Sequence, residues 1–227
     1  MIFLELSHIH NSNYLGGGRI PSWYIVTKGH TATTDLTLSW DEIYSRMKSN
    51  TRNEVKRAIK EGVVVECNYD YASFVPFYNE FCDSKGLDLK INEHTLSKYD
   101  RMLITIARKD ETILCMHAIV LDKQDCVAML FYSCSKRLSG DVDKKLIGWA
   151  NRLLHYKELE MFKKQGYKKY EWHSLVTDPS HPNYSIGQFK LSFGGELHET
   201  VSVRTPLFVF MKWIQRQIHL VKKLCTR

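Results

Sequence analysis

A mixed α/β fold, with a largely antiparallel central sheet flanked by helices, is predicted by three features of this sequence. Three consecutive β-rich runs, Met102–Arg108, Ile113–Leu121 and Cys126–Ser133, are joined by loops short enough to make hairpins, which places them side by side and antiparallel. A long helical stretch, Lys145–Gln165, follows and ends at Gly166, after which Tyr167–Ser174 returns as a strand. Helical segments also precede the three strands and close the chain.

The elements follow in order. Ile2–Leu6 and Trp23–Thr27 read as strands, with Gly16-Gly17-Gly18 as a loop between them. Leu36–Leu38 is a short extended piece ending at Ser39, a good N-cap for a helix opening Trp40-Asp41-Glu42. A second, basic helix carries Ser49–Lys60, with Gly62 at its end and Val63–Cys67 as a strand beyond. Phe74, Phe77, Tyr78 and Phe81 recur at helical spacing within Tyr71–Lys85, and a short helix is expected near Thr95–Tyr99. After Tyr167–Ser174, Ile186–Phe193 adds a helical turn, Val201–Arg204 is a last strand, and Pro206 onward is helical.

The 227 residues, 44% hydrophobic and 25% charged, suit one domain with a sizeable core and exclude disorder as the main state. Three parts are distinguished: strands in 1–38, a core over 39–205, and an amphipathic basic helix in 206–227. Lys+Arg exceed Asp+Glu by 32 to 25, which favours anionic partners. The six cysteines form no CxxC pair and show no zinc spacing, so reduced thiols and no metal are expected. Neither a secretory signal nor a spanning stretch is legible, and the expected location is the cytoplasm.

The helix after the three strands begins Lys145-Leu146-Ile147-Gly148-Trp149-Ala150-Asn151-Arg152. Unpaired N–H groups at such a terminus suit a pyrophosphate. This stretch resembles the R/Q-x-x-G-x-G/A element of the GNAT acyltransferase superfamily, with Lys145 in place of Arg or Gln. Met47–Ala58, Tyr132–Ser135, Asn151–Tyr156, Gly166-Tyr167 and Tyr170-Glu171-Trp172 are similar, in order, to blocks of the FemAB-like group. Gly187-Gln188-Phe189-Lys190-Leu191-Ser192-Phe193-Gly194-Gly195-Glu196 resembles that group's G-x-x-x-FK-x-x-FGGE segment. The strand end Glu171-Trp172-His173-Ser174 departs from the group's glycine-bearing pattern, and the length suits one GNAT-like half.

The resemblance implies direct transfer of an acyl group from acyl-CoA, acetyl-CoA first, to an amine such as that of an amino sugar or cell-surface glycan precursor. It also implies a donor-binding set of Ser133, Ser135, Lys145, Gly148, Ala150, Asn151 and Arg152, with backbone N–H groups near Phe131–Ser133 facing the oxyanion. Catalytic candidates are His117 as a base, Tyr132 as an acid for the leaving thiolate, and Glu171 and His173 lining the cleft from one strand face. Arg52 and Lys190 are candidate substrate contacts, Arg57 a surface charge, and His155 a packing residue.

Other readings stay open. A FemAB-like donor would be aminoacyl-tRNA, and a non-catalytic module would bind nucleic acid or a membrane through basic surface; DNA is not an expected partner. Leu207, Phe210, Met211, Ile214, Ile218, Val221 and Leu224 follow helical spacing, with Lys212, Arg216, Lys222, Lys223 and Arg227 between them. Such a helix either packs on its own fold or makes peripheral contact with an anionic membrane face.

Overall fold

The structure, a computed structural model, describes residues 5–9, 22–97, 102–137, 140 and 142–225. Its elements run β1 (Glu5–Ile9), β2 (Ile25–Asp35), α1 (Trp40–Arg46), α2 (Ser49–Lys60), β3 (Val64–Asn68), α3 (Tyr71–Ser84) and α4 (Glu93–Ser97). They continue with β4 (Met102–Lys109), β5 (Thr112–Asp122), β6 (Val127–Ser135), α5 (Lys144–Lys164), β7 (Lys169–Leu175), α6 (Tyr184–Leu191), β8 (Glu196–Arg204) and α7 (Pro206–Cys225). The strands form one eight-stranded sheet in the order β1-β8-β2-β7-β6-β5-β4-β3.

The expected hairpins are present: β4, β5 and β6 pair antiparallel in sequence order. The β6–β7 pair is parallel, joined across α5 as a parallel connection requires. Its ladder covers only Val127↔Lys169, Ala128↔Tyr170 and Met129↔Glu171. Beyond Met129 the two strands part.

Several sequence expectations are corrected. The strand expected at Trp23–Thr27 begins at Ile25 and runs to Asp35, taking in the polar Lys28–Asp35 run. That run is extended because it lies between β7 and β8, where ladder bonds on both sides outweigh weak local propensity. Leu36–Leu38 is therefore not a strand of its own, and the last strand starts at Glu196 rather than Val201. Residues Ile2–Leu4, Gly16–Gly18, Lys98 and Tyr99 lie outside the described residues.

Two layers cover the sheet. On one face α3 buries Phe74, Tyr78 and Cys82 against Met102, Ile104, Met116 and Ala118. On the other, α5 lies over Ala107, Cys115, Ile119, Leu130, Tyr170 and Trp172, with α1, α2 and α6 beside it. Ser39 caps α1 through a capping box with Glu42, as its sequence predicts. Gly194, at φ 81, is held close to α1: a Cβ there would lie 2.5 Å from the Arg46 Cβ. This turn seats α6 against the end of α1.

Candidate active site

The buried stripe of α5 is apolar except for two positions. Ile147, Ala150, Leu153, Leu154, Leu159 and Phe162 are joined there by His155 and Glu158. An ionised carboxylate in such a place must find partners for all its lone pairs. Glu158 finds four. His117 Nδ1 donates to Oε1 at 2.7 Å, and the Thr105 hydroxyl donates to the same oxygen. Tyr170 donates to Oε2 at 2.7 Å, and His155 Nδ1 donates to it at 3.1 Å. Burial alone would raise the Glu158 carboxyl, but the His117 ring and the donated hydrogen bonds outweigh it and hold the group well below the usual carboxylate range.

The two imidazoles lie against each other, tilted by 31° with centroids 4.3 Å apart, but differ at their outer nitrogens. His117 Nε2 lies 2.9 Å from Asn151 Oδ1, so both of its ring nitrogens are engaged within the chain. His155 uses Nδ1 toward Glu158 and Tyr170, while Nε2 makes no hydrogen bond among the described residues and opens onto a cleft. With Nδ1–H donated, Nε2 keeps its lone pair. Burial, reinforced by the neighbouring His117, lowers His155 to about 4 and keeps it a free base at neutral pH.

The cleft has a volume of about 640 Å³ and opens where β6 and β7 part. Phe131, Ser133 and Ser135 from β6, His173 and Ser174 from β7, Gly148, Asn151, Arg152 and His155 from α5, and Phe189 and Lys190 from α6 line it. Lys85, Arg137, Arg152 and Lys190 are its cations, and no carboxylate is among the lining residues. Arg152 stacks on Phe189 with its carbon 4.9 Å from the ring centroid and pairs with Glu54 at 2.9 Å. Its Nε is buried with no partner among the described residues. A Cβ on Gly148 would meet only Arg152 Nη1, at 3.9 Å, so space is open above the first turns of α5. An orphan guanidinium N–H beside an open helix start fits an anionic ligand.

The structure brings Ser133, Ser135, Gly148, Asn151, Arg152, His173 and Lys190 together around this cleft. It does not bring the other candidates there. His117 is fully buried behind Asn151. Tyr132 neighbours His117 in the sheet, but Ser133 is the residue in register with it, so alternation sends Tyr132 to the opposite face. There it packs against Tyr78 at 5.0 Å.

Glu171 is buried beside Thr31, whose hydroxyl lies 3.4 Å from Oε1, and does not line the cleft. His173, at φ 59 and with its ring 5.1 Å from Phe131, does. Ala150 packs in the core under α5, and Lys145 lies outside the lining. Arg52 donates to the carbonyls of Tyr44, Ser45 and Met47, closing the end of α1 instead of reaching a substrate. Arg57 lies over Trp149.

Lys190 donates to the carbonyls of Trp172 at 2.6 Å and Ser174 at 2.9 Å, holding the free end of β7. Burial lowers its amine to about 8.

His155, Glu158 and Tyr170 were not singled out as site residues from the sequence. The available signal was the spacing Asn151, His155, Glu158: i, i+4 and i+7 place three polar groups on one helix face. His117, His155 and Glu158 also have potential metal-ligating atoms within 4.8 Å of one another. The separations of 2.7 and 3.1 Å are hydrogen-bond lengths, and Thr105 and Tyr170 fill the remaining carboxylate sites, so the group is a hydrogen-bonded network as it stands.

No family model and no curated protein sequence matches the chain. Its fold is similar to solved structures. FemX aligns with a TM-score of 0.67 at 12% identity, covering 88% of this chain and 71% of FemX. L-PGS from Bacillus licheniformis aligns at 0.60 and 16%, covering 94% of this chain and 72% of that one. The C-terminal domain of a synthetase assigned to lysylphosphatidylglycerol, from Agrobacterium fabrum, aligns at 0.58 and 12%, covering 83% of this chain and 66% of that one. At these identities the likeness shows a shared GNAT-like, FemAB-like fold.

Proposed function

We propose that this protein is an acyltransferase in which an amine attacks an activated acyl carbonyl held where β6 and β7 part. The observation that carries the proposal is the unshared Nε2 of His155, fixed by the buried Glu158 and opening onto a carboxylate-free, cation-bearing cleft. The shared fold with FemX and L-PGS supports it.

The preferred donor is acyl-CoA, acetyl-CoA first, which brings a thioester carbonyl already activated for attack. Gly148, Arg152 and the first turns of α5 would receive its phosphates, with Ser133, Ser135 and Arg137 at the edge. The backbone of β6 past Met129 has left its ladder with β7, and Phe131 falls at an irregularity in the β5–β6 register. Backbone N–H groups there would stabilise the oxyanion.

The attacking nitrogen bonds to the carbonyl carbon, and its surplus proton passes to His155 Nε2. The carbon–sulfur bond then breaks, and His155 returns the proton to the departing thiolate. A weakly basic imidazole holds that proton only briefly. No covalent enzyme intermediate is required. The acceptor class is an amine on a small molecule, such as an amino sugar or glycan precursor.

Calorimetry with CoA and acetyl-CoA tests the donor, with thiol release in the presence of amines as the activity readout. Saturable CoA binding that Arg152→Ala weakens is expected; absence of binding at millimolar CoA overturns this donor. Binding of aminoacyl-tRNA instead, falling steeply as salt rises, would move the reading to an aminoacyl ester donor in the same cleft.

A further inference from the structure

The net charge of the chain is concentrated at one end. Residues 200–227 hold six of its 32 Lys and Arg and no Asp or Glu, so the remaining 199 residues are almost neutral. The described part of this segment is the end of β8 and the helix α7.

A soluble helix ordinarily turns its apolar side to its own core. Among the described side chains of α7 that side is largely exposed, with Ile214 half-buried. Leu207, Phe210, Met211, Ile218 and Val221 follow helical spacing and are all exposed, and Phe210 stacks with the exposed Trp213 at 6.1 Å. The patch does not stop at the helix. Ile25 of β2 is in register with Arg204, two residues before α7, so the start of β2 lies beside the helix root. There Trp23, Ile25 and Val26 are exposed as well, with the Trp23 ring tilted against that of Tyr24 at 4.0 Å. Two separate parts of the chain thus place aromatic and aliphatic groups at one end of the sheet.

We propose that this end, α7 together with Trp23–Val26, docks on the surface of an anionic lipid bilayer. Trp and Tyr, each with an apolar body and a polar tip, suit the headgroup boundary, and acid-free basic sequence suits negative lipid. At about 1.5 Å per residue, α7 is about 30 Å long and lies along the surface. No described helix is long and apolar enough to cross a membrane, so docking is from one side. A second copy of the chain is the less suitable occupant, because it would set basic segment against basic segment.

Co-sedimentation of the full chain with vesicles tests this, independently of any transfer activity. The chain is expected to sediment with phosphatidylcholine vesicles containing phosphatidylglycerol, to remain in solution with phosphatidylcholine alone, and to be released by high salt. Phe210→Ser with Trp213→Ser, both at exposed positions, should weaken binding about tenfold or more, and Lys212→Glu should weaken it several-fold. Trp23→Ser should weaken it with α7 untouched. Failure to sediment with phosphatidylglycerol vesicles overturns the proposal, as does equal binding to both vesicle types. A stable dimer whose dissociation requires the Phe210 and Trp213 substitutions, and which ignores vesicles, assigns the face to self-association instead.

Discussion

His155 and His117 lie ring against ring over one carboxylate, yet only His155 turns its second nitrogen to the cleft, since Asn151 closes off that of His117. The two histidines therefore separate experimentally. We predict that His155→Gln lowers kcat about 10²–10⁴-fold, the range for loss of a general base, with a small change in donor affinity. His117→Gln should lower kcat much less and unfold at lower denaturant, because it disturbs a support and not the reacting group. Steady-state kinetics beside urea titrations decide this. An equal kcat loss in both variants would return the base assignment to the network as a whole.

Glu158 is held by four donors in a site with no exposure to water to replace them. Glu158→Ala removes the acceptor for all four and leaves the two imidazoles unanchored. We predict a loss of about 3–5 kcal/mol in unfolding free energy, as for breaking a buried pair. Glu158→Gln keeps the shape but must present N–H toward donors, and should also lose activity. Denaturant midpoints near those of the wild type would show that the carboxylate is not central to the fold.

The same groups set an acid limit. His155 takes up its proton at about 4 in the fold against 6.5 in the unfolded chain. As pH falls through that interval the unfolded state binds the proton first, so stability drops; over the full interval the cost is about 3 kcal/mol at 1.36 kcal/mol per unit. Glu158, held below its ordinary value, extends the loss below pH 4.5. We predict that His155→Gln flattens the stability profile between about pH 6.5 and 4.5 and leaves the steeper fall at lower pH. Urea midpoints measured across pH test this, and an unchanged slope in the variant contradicts it.

What was legible follows from period and order. The three hairpin strands, the helix that crosses from β6 to β7 and the capped α1 come from local patterns that the tertiary structure does not override. Lys28–Asp35 was not legible, because its pairing with β7 and β8 depends on residues far along the chain. Tyr132 lies on the face away from the cleft because Ser133 is the residue beside His117 on β6, a register that depends on the bulge between β5 and β6 and not on local sequence. Arg52 carried a motif resemblance, but its guanidinium satisfies helix carbonyls that sequence cannot locate. His155 resembled packing because an imidazole among Leu and Phe usually is; only Glu158, one turn later on the same face, shows that it is polar by design of the helix.

Gly148 separates binding from folding. It sits in the first turns of α5, where a methyl group would meet no atom closer than 3.9 Å. Gly148→Ala should therefore stabilise the protein, by up to about 1 kcal/mol from helix propensity. The same methyl projects into the space above the helix start, where the donor's phosphates would approach the backbone. We predict a raised melting temperature together with a several-fold weaker CoA affinity, read by thermal unfolding and calorimetry on one preparation. Tighter or unchanged CoA binding in a stabilised Gly148→Ala variant would show that phosphates do not approach α5 at this turn.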